Sequence, residues 1–271
     1  MLFGSNGIVA SFISMNSYEI VLLRTLLGSL LLLTIFLLGK GKFTFYKNKK
    51  HFLSLAVSGI AMGTSWMLLY EAYTRIGVSV SSLLYYCGPV IVMVLSPFLF
   101  QEKLNIFKIS GFISVLCGVV LVNGNALSDG SDTFGILCSV LSAVMYAFMV
   151  IFNKKAASIT GLENSALQLI ISFLTVTVFV SVKQGVIMDI PTESILPLLI
   201  LGFINTGIGC YFYFSSIGNL RVQSVAICGY LEPLSAVLFS VLLLKEVMLP
   251  IQIIGAALIL GGAIFGECMK R

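Results

Sequence analysis

The sequence predicts an all-α integral membrane protein of ten transmembrane helices, arranged as two inverted five-helix repeats. Hydrophobic residues make up 58% of the chain and charged residues 10%, whereas roughly a quarter of an ordinary soluble domain is charged. The apolar segments are about twenty residues long and do not alternate with polar residues, which is typical of membrane helices and not of β-barrel strands. Unusual residue types also recur at one fixed spacing, which indicates an internal duplication.

Apolar runs separated by charged, Gly, Pro or Asn breaks define the ten helices. In the first half they cover 2–15, 18–38, 51–73, 78–100 and 105–123, and in the second half 133–153, 163–182, 194–216, 221–244 and 249–268. The first segment is short, because about fourteen helical residues cover about 21 Å and the hydrocarbon core of a bilayer is about 30 Å thick. We therefore expect the first helix to be truncated at its N-terminus.

The duplication is visible at a shift of 144 residues. Apolar matches are common in any membrane protein, but proline, glutamate and glycine matches at one offset are not. The two repeats therefore cover residues 1–123 and 133–268, joined by a linker at 124–132. The matched pairs are Glu19 and Glu163, Gly63 and Gly207, Tyr86 and Tyr230, Pro89 and Pro233, Glu102 and Glu246, Gly111 and Gly255, and Gly118 and Gly262.

An odd number of helices in each repeat makes the second repeat enter the membrane from the opposite side, so the repeats are inverted. The distribution of basic residues sets the orientation. With the N-terminus inside the cell, twelve of the 16 Lys and Arg residues lie in inside loops or tails, and four lie outside. We therefore expect a multi-pass protein of the cell membrane with both termini in the cytoplasm and an extracytoplasmic linker.

Cofactor and metal sites have little support in this sequence. The six cysteines lie within or beside apolar runs without CxxC spacing, and the single histidine, His51, lies beside a lysine cluster. Cysteines in such positions usually behave as small buried hydrophobic residues. We expect no metal, no cofactor and, despite the net charge of +5, no nucleic-acid partner; the bilayer and a small solute are the expected partners.

Several segments together resemble a known family. They are LFGSN at residues 2–6, Arg24 in the second helix, SSLLYYCGPVIVMVLSPFLFQEKL from residue 81, SVAICGYLEPLSAVLFSVLLLKEVM from residue 224, and GAALILGGAIF from residue 255. The chain resembles the EamA-type branch of the drug/metabolite transporter superfamily over essentially its whole length. The resemblance implies ten helices, inverted repeats, a central substrate cavity and export of amino acids or related metabolites; it does not imply one substrate.

Two prolines within predicted helices are candidates for gating. A proline removes a helical hydrogen bond and kinks the helix, and kinked helices at a repeat interface often line transporter cavities. Pro89 and Pro233 occupy matched positions, and a static packing kink is the alternative. Glu232 precedes Pro233 at membrane depth, where an ionisable residue is a functional candidate. It is a candidate for coupling or substrate contact, or for bonding backbone groups freed by the proline.

Two other charged residues have an open role. Glu71 lies in the third helix near its outer end, where a side chain that faces the interface is the simpler interpretation. It is also the second candidate carboxylate for proton coupling. Arg24 has three interpretations: its side chain reaches the interface, pairs with Glu19, or faces the cavity and attracts a substrate carboxylate. Glu102 and Glu246 end the fourth and ninth helices, where we expect end caps or gate salt bridges.

Polar aromatic residues near mid-span are the candidates for binding an organic solute. Trp66 and Tyr70 share a helix face with Gly63, and Tyr211 repeats this pattern after Gly207. An interfacial aromatic belt is the alternative, and it suits Tyr18 and Tyr73 better. The predicted substrate-binding set is Asn6, Trp66, Tyr70, Tyr86, Tyr146, Asn205, Tyr211 and Tyr230.

Glycines spaced seven apart on the fifth and tenth helices let helices approach closely. Their expected role is packing, with a homodimer through these glycine-bearing helices as a further expectation.

The sequence therefore predicts a secondary transporter that works by alternating access of its two repeats. The alternatives are uptake or facilitated exchange of another metabolite class, such as a nucleoside, a carboxylate or a cationic drug. An intramembrane enzyme is a more remote alternative, because the clustered His, Asp or metal-ligand motifs that it would need are absent from the sequence. ATP hydrolysis is excluded as the energy source within this chain, because it contains no GxxxxGK[ST] loop.

Overall fold

The protein is all-helical in a computed structural model that describes residues 2–103, 105–123, 132–185, 190–244 and 250–268. No β-strand occurs in these ranges. A 3₁₀ turn at Leu2–Ser5 leads into helix α1. The helices of the first half are α1 (Asn6–Ser11), α2 (Ser17–Leu38), α3 (Lys49–Tyr85), α4 (Cys87–Phe100) and α5 (Ile106–Asn123).

The second half has a similar order of elements. A π-helical segment, Ile200–Ile208, connects α8 to α9 without a break, so that α8, this segment and α9 form one continuous helix. The second-half helices are α6 (Thr133–Lys155), α7 (Gly161–Lys183), α8 (Ile195–Leu199), α9 (Gly209–Asn219), α10 (Val222–Gly229), α11 (Leu231–Leu244) and α12 (Pro250–Cys268).

Five of the described helices are long and apolar enough to cross a membrane. They are Ser17–Leu38, Lys49–Ile76, Thr133–Lys155, Gly161–Lys183 and the continuous helix from Thr192 to Asn219; shorter apolar helices lie at Cys87–Phe100, Ile106–Leu121 and Ile253–Gly266. An all-α fold with membrane-length helices is thus confirmed. The count of ten and the repeat boundaries stay predictions, and the predicted linker lies outside the described residues except for Asp132.

The first predicted helix is short in the structure. Its helical residues are the 3₁₀ turn and α1, which ends at Ser11. Asn205, in the π-helical segment, donates from its side-chain amide to the carbonyl of Leu2 and to the side-chain oxygens of Ser5 and Asn6. These bonds hold the N-terminal segment against the second half.

Two helix breaks occur at matched positions. Helix α3 continues through the predicted 73–78 boundary, a stretch without proline, and ends at Tyr85; α10 ends at Gly229. These are the residues four before Pro89 and Pro233, whose rings clash with the carbonyl at that position and whose nitrogens carry no hydrogen. The single non-helical residues between the segments, Tyr86 and Tyr230, have nearly equal backbone angles of φ −66°, ψ −4° and φ −73°, ψ −4°.

The two breaks contact each other. The hydroxyl of Tyr230 donates to the carbonyl oxygen of Tyr86 at 2.7 Å, and the centroids of the two rings are 6.4 Å apart. Tyr230 is fully buried. Residues separated by the repeat offset touch directly only where they lie beside the axis that relates two halves. The contact fits a two-fold relation between the halves, and the inverted arrangement stays a prediction.

Helices α5 and α12 pack through their glycines within one chain. A Cβ on Gly118 would lie 2.5 Å from the carbonyl oxygen of Gly255, and one on Gly111 would lie 2.6 Å from that of Gly262. Midway between these contacts, the Ser114 hydroxyl donates to the carbonyl of Leu258 at 3.1 Å. The stripe that suggested a homodimer is thus covered by an intrachain contact, and a homodimer stays a prediction without support from these glycines.

A central cavity between the two halves

A cavity of about 1230 Å³ lies between the two halves of the protein. It is larger than the roughly 300–1,000 Å³ of typical small-molecule sites. Its walls come from α1, α2, α3, α6, α9, α10 and the start of α11, and most are apolar or aromatic. Two charged residues line it among those described, Arg24 and Glu232. We call this space the central cavity.

Arg24 lies on α2 and is 4% exposed. Its Nε donates to the hydroxyl oxygen of Thr206 at 2.9 Å, and its guanidinium carbon lies 4.8 Å from the centroid of the Trp66 ring. The Thr206 hydroxyl donates in turn to the carbonyl of Leu201 within the π-helical segment. A cation over an aromatic face is attracted to it, so the guanidinium is fixed in position by both halves. The predicted pairing with Glu19 is wrong.

Glu19 has a local role instead. Its carboxylate accepts from the backbone N–H of Asn16, and the Asn16 side chain accepts from the N–H of Tyr18. This reciprocal pair is a capping box at the start of α2. Because Glu19 is occupied at the helix end, Arg24 is left to face the central cavity.

Glu232 lies in the first turn of α11, directly after the break at Tyr230. Within the described part of the chain, no hydrogen bond or ion pair to its carboxylate is found, and its backbone carbonyl accepts from Ser235. The predicted bonding of its side chain to freed backbone groups is therefore not seen. The positive end of a helix favours a carboxylate in its first turn, which lowers the free-energy cost of this position.

The repeat mate of Glu232 is Gly88, and the structure explains the difference. A Cβ on Gly88 would lie 2.7 Å from Cδ1 of Tyr146 and 3.1 Å from the carbonyl oxygen of Ala143. A side chain has no room at the first-half break because the Tyr146 ring occupies it. At the second-half break the same position opens into the central cavity.

Tyr146 belongs to an aromatic cluster on one wall of the cavity. Its hydroxyl lies 2.7 Å from that of Tyr213, and its ring meets Tyr85 edge to face with centroids 5.5 Å apart. Phe3 of the N-terminal turn contacts the Tyr213 ring at 5.9 Å in a similar geometry. These edge-to-face contacts are the preferred aromatic arrangement, and they connect the N-terminal segment, α3, α6 and α9.

The predicted site residues divide into two groups. Those that line the central cavity are Asn6, Arg24, Trp66, Tyr70, Tyr86, Tyr146 and Glu232. Those that do not line it are Glu71, Pro89, Asn205, Tyr211, Tyr230 and Pro233. Three residues of the second group act on the cavity indirectly. Asn205 holds the N-terminal segment, while Tyr230 and Pro233 form the break that presents Glu232.

Tyr73, Tyr85 and Tyr213 line the cavity although sequence reasoning did not select them. The interfacial belt suited Tyr73, but its hydroxyl lies 3.3 Å from that of Ser82. Tyr213 lines the cavity at the place that was expected for Tyr211. Tyr211 comes two residues before Tyr213 and lies on the opposite side of the helix. The expectation assumed an α-helical spacing through a stretch that includes the π-helical segment. For Tyr85, its position four residues before Pro89 was an available signal.

Glu71 lies outside the cavity, in a group of charges that we call the outer ionic cluster. Its carboxylate accepts from Arg75 at 2.9 Å, from Lys183 at 3.0 Å and from the hydroxyl of Tyr18. Arg75 also pairs with Asp132, the N-cap of α6, at 3.0 Å. This guanidinium lowers the pKa of Asp132 below its usual range. The cluster joins α2, α3, α6 and α7, and each described charge in it is paired.

Comparisons with known proteins agree with this architecture. A crystal structure with 17% sequence identity superposes with a TM-score of 0.86 over 99% of this chain and 95% of the other, which shows the shared fold. The chain is 26% identical over 244 residues to the uncharacterized transporter YxxF of Bacillus subtilis, covering 88% of this chain and 76% of that protein.

A second relative carries a more specific name. The probable amino-acid metabolite efflux pump of Salmonella typhimurium is 28% identical over 194 residues, which are 66% of this chain and 64% of that protein. The model of the EamA-like transporter family matches residues 1–124 and 133–265. Together these segments include nearly the whole sequence, and the chain belongs to the EamA-like transporter family.

Proposed function

We propose that this protein is a secondary transporter that exports amino acids or related small metabolites across the cell membrane. The observation that carries the proposal is the central cavity, which among the described residues has one cationic and one anionic side chain on largely apolar walls with several aromatic rings. An organic solute with a polar end and an apolar body fits such a site. The printed name of the Salmonella typhimurium relative supports the amino-acid class.

Alternating access is the mechanism that we infer for transport. The cavity lies where the two helix breaks meet, and Tyr86 and Tyr230 join the halves at that point. Broken helices beside a midplane site are the elements that move in many transporters built from inverted repeats. Rocking of the halves about this contact would open the cavity to one side of the membrane and then to the other.

Glu232 is the candidate for coupling transport to a proton gradient. It is the one carboxylate on the cavity wall among the described residues, whereas Glu71 is held by Arg75, Lys183 and Tyr18. A carboxylate with three donors is stabilised in its charged form, which makes Glu71 the weaker of the two coupling candidates. Facilitated exchange without an ion gradient remains the alternative mechanism.

Solute transport in proteoliposomes tests the function. We expect at least one member of a mixed amino-acid panel to cross, and an imposed pH gradient to accelerate it in the unmutated protein but not in Glu232→Gln. Glu193→Gln is a matched control, because Glu193 is exposed in the 3₁₀ turn before α8 and does not line the cavity. If no amino acid crosses while nucleosides, carboxylates or cationic aromatic compounds do, the substrate class is wrong and the transporter family remains.

A membrane enzyme is not supported as an alternative. The family that the chain belongs to is one of transporters, and the two relatives compared above are named as a transporter and an efflux pump. Orientation with both termini in the cytoplasm is part of this proposal, based on the distribution of Lys and Arg.

A further inference from the structure

We propose that Arg24 and Glu232 bind the two charged ends of one zwitterionic solute, with the carboxylate at Arg24 and the ammonium at Glu232. The inference rests on the proposed function and adds to it the ligand charge type and its orientation. It follows from what each group lacks among the described contacts and from the fact that both line one cavity.

Arg24 presents unused donors at a fixed position. A guanidinium has five N–H donors, and the described contacts of Arg24 use one of them, the Nε–H to Thr206. Trp66 covers one face of its plane without taking a hydrogen bond. Arg75 shows the contrast, because its donors reach the carboxylates of Glu71 and Asp132. A buried guanidinium without a counter-ion suits a carboxylate, which it can hold through two parallel bonds.

The Glu232 carboxylate has no hydrogen-bond or ion-pair partner among the described residues. The carboxylates of Glu71, Glu102 and Glu163 each accept two or three hydrogen bonds within the protein. Glu232 accepts none in the part of the chain that the structure describes, although it lies within an apolar segment. A carboxylate at membrane depth is costly unless paired, so an ammonium group delivered by a solute would relieve this cost.

The two charges face one cavity but do not bond to each other. No ion pair joins Arg24 to Glu232 within 4.0 Å, so the solute need not break one in order to bind. A purely cationic solute would leave Arg24 without a counter-ion. A purely anionic solute would leave Glu232 without one. A zwitterion compensates both at once, which is why the two positions together favour this charge type over either alone.

The aromatic walls accept the remainder of such a solute. Trp66, Tyr70, Tyr85 and Tyr146 are on the cavity surface, and the cavity of about 1230 Å³ exceeds what an amino-acid side chain fills. The walls therefore supply apolar contact with little size selection. Recognition by charge and tolerance of different side chains follow from the same geometry.

Trp66 provides a binding signal that is independent of transport. It is the single tryptophan of the chain, and it lies against the Arg24 guanidinium. Because Trp66 lines the cavity, binding of any of the probes beside its ring should change its emission. The probes are phenylalanine, phenethylamine, which lacks the carboxylate, and 3-phenylpropionate, which lacks the ammonium group. Each is titrated into the purified full-length protein in detergent, with excitation at wavelengths where phenyl rings do not absorb.

In the unmutated protein we expect phenylalanine to bind at least about tenfold more tightly than either analogue, because each lost pair is charge-assisted. Arg24→Gln should weaken phenylalanine and 3-phenylpropionate by about tenfold or more and leave phenethylamine within about twofold. Glu232→Gln should give the reverse pattern, weakening phenylalanine and phenethylamine alone. Arg221→Gln and Glu193→Gln are matched controls at exposed positions and should leave all three probes unchanged.

Arg24→Lys serves as a second variant if Arg24→Gln does not fold, because it keeps the charge and loses the planar fork. Its expected affinity for phenylalanine lies between those of the unmutated protein and Arg24→Gln. Equal weakening of all three probes by either variant would overturn the proposal, as would phenethylamine binding as tightly as phenylalanine. Failure of the proposed function looks different: the unmutated protein then transports and binds no amino acid at all.

Discussion

Gly88 and Glu232 show how single residues make two similar halves unequal. Both lie two residues after a helix break, and the repeat offset pairs them. At Gly88 the neighbouring space is filled by Tyr146, and at Glu232 it is open cavity. One break therefore shapes an aromatic wall, whereas the other delivers a charge. This asymmetry follows from what surrounds each break: the Tyr146 ring and the Ala143 carbonyl oxygen at Gly88, and open cavity at Glu232.

Gly88→Ala tests whether that aromatic wall depends on the missing side chain. The new Cβ would lie 2.7 Å from the Tyr146 ring, and overpacking of this kind costs about 1–3 kcal/mol. We expect a lower thermal midpoint and weaker phenylalanine binding in the Trp66 fluorescence titration. Gly229→Ala, at the second-half break, is the control, because its Cβ would lie 3.5 Å from the Tyr146 hydroxyl, an ordinary contact. Equal behaviour of the two variants would contradict the role given to Gly88.

Sequence reasoning found the charged part of the site more successfully than the aromatic part. An ionisable residue within an apolar helix stands out in any sequence, and both Arg24 and Glu232 line the cavity. Tyrosines occur at cavity walls, interfaces and helix contacts alike, so their type alone does not place them. Tyr230, which was expected to line the cavity, is instead a buried contact between the two helix breaks. Tyr213 lines the cavity where Tyr211 was expected. These outcomes depend on helix register, which the π-helical segment changes and the sequence pattern does not reveal.

At the scale of elements, the two prolines predicted kinked helices, and the structure shows a full break near each of them. A kink within a continuous helix was expected, but in both halves the helix stops four residues before the proline and restarts after one residue. The restart creates a new helix N-terminus inside the protein, with unpaired N–H groups and a positive end. In the second half this new end carries Glu232, so the break and the candidate binding group belong to one element.

Helices α5 and α12 yield a prediction that separates packing within the chain from dimer formation. In Gly118→Ala the new Cβ would lie 2.5 Å from the Gly255 carbonyl oxygen, so we expect a loss of about 1–3 kcal/mol in stability. Gly261→Ala is the matched control on α12, where a Cβ would have no atom within 4 Å; it should stabilise by about 0.5–1 kcal/mol. Thermal unfolding in detergent, followed by light scattering for mass, measures both quantities.

The outcome assigns the glycine stripe to one role. A lower midpoint for Gly118→Ala at unchanged molecular mass would confirm packing within one chain. A change of mass with an unchanged midpoint would contradict it and would instead support the homodimer predicted from the same glycines.

At the scale of the whole molecule, the fold class followed from composition and segment length, but the packing did not. The hydrophobic content required helices in a bilayer, and this fixed the architecture without specifying which helices meet. The offset of 144 residues predicted equivalence of the halves. It did not predict that equivalent residues touch, as Tyr86 and Tyr230 do at one point and Ser114 and Leu258 at another. Those contacts depend on the position of the axis, which no pattern within one repeat encodes.

A contact between the halves at one end of the molecule provides a candidate latch for alternating access. The Glu102 carboxylate accepts from the backbone N–H groups of Val222 and Gln223 at 2.9 and 3.2 Å, so a first-half loop caps the first turn of α10. The side chain of Gln223 donates to the Glu102 carbonyl and to the Ser96 hydroxyl. In the orientation that we propose from the distribution of basic residues, this end faces the cytoplasm, where the contact would hold the cavity closed.

Glu102→Gln should therefore make the cavity easier to reach from the cytoplasmic side. Loss of a capping carboxylate costs about 1 kcal/mol, or about fivefold in an opening equilibrium. Cys228 lines the cavity, so in a variant with the other five cysteines replaced its labelling by a membrane-impermeant thiol reagent reports access. We expect about fivefold faster labelling in inverted vesicles and no gain in right-side-out vesicles, with Glu193→Gln unchanged in both. Faster labelling only from the outside would reverse the assigned orientation, and unchanged labelling from both sides would show that Glu102 is a helix cap without a role in gating.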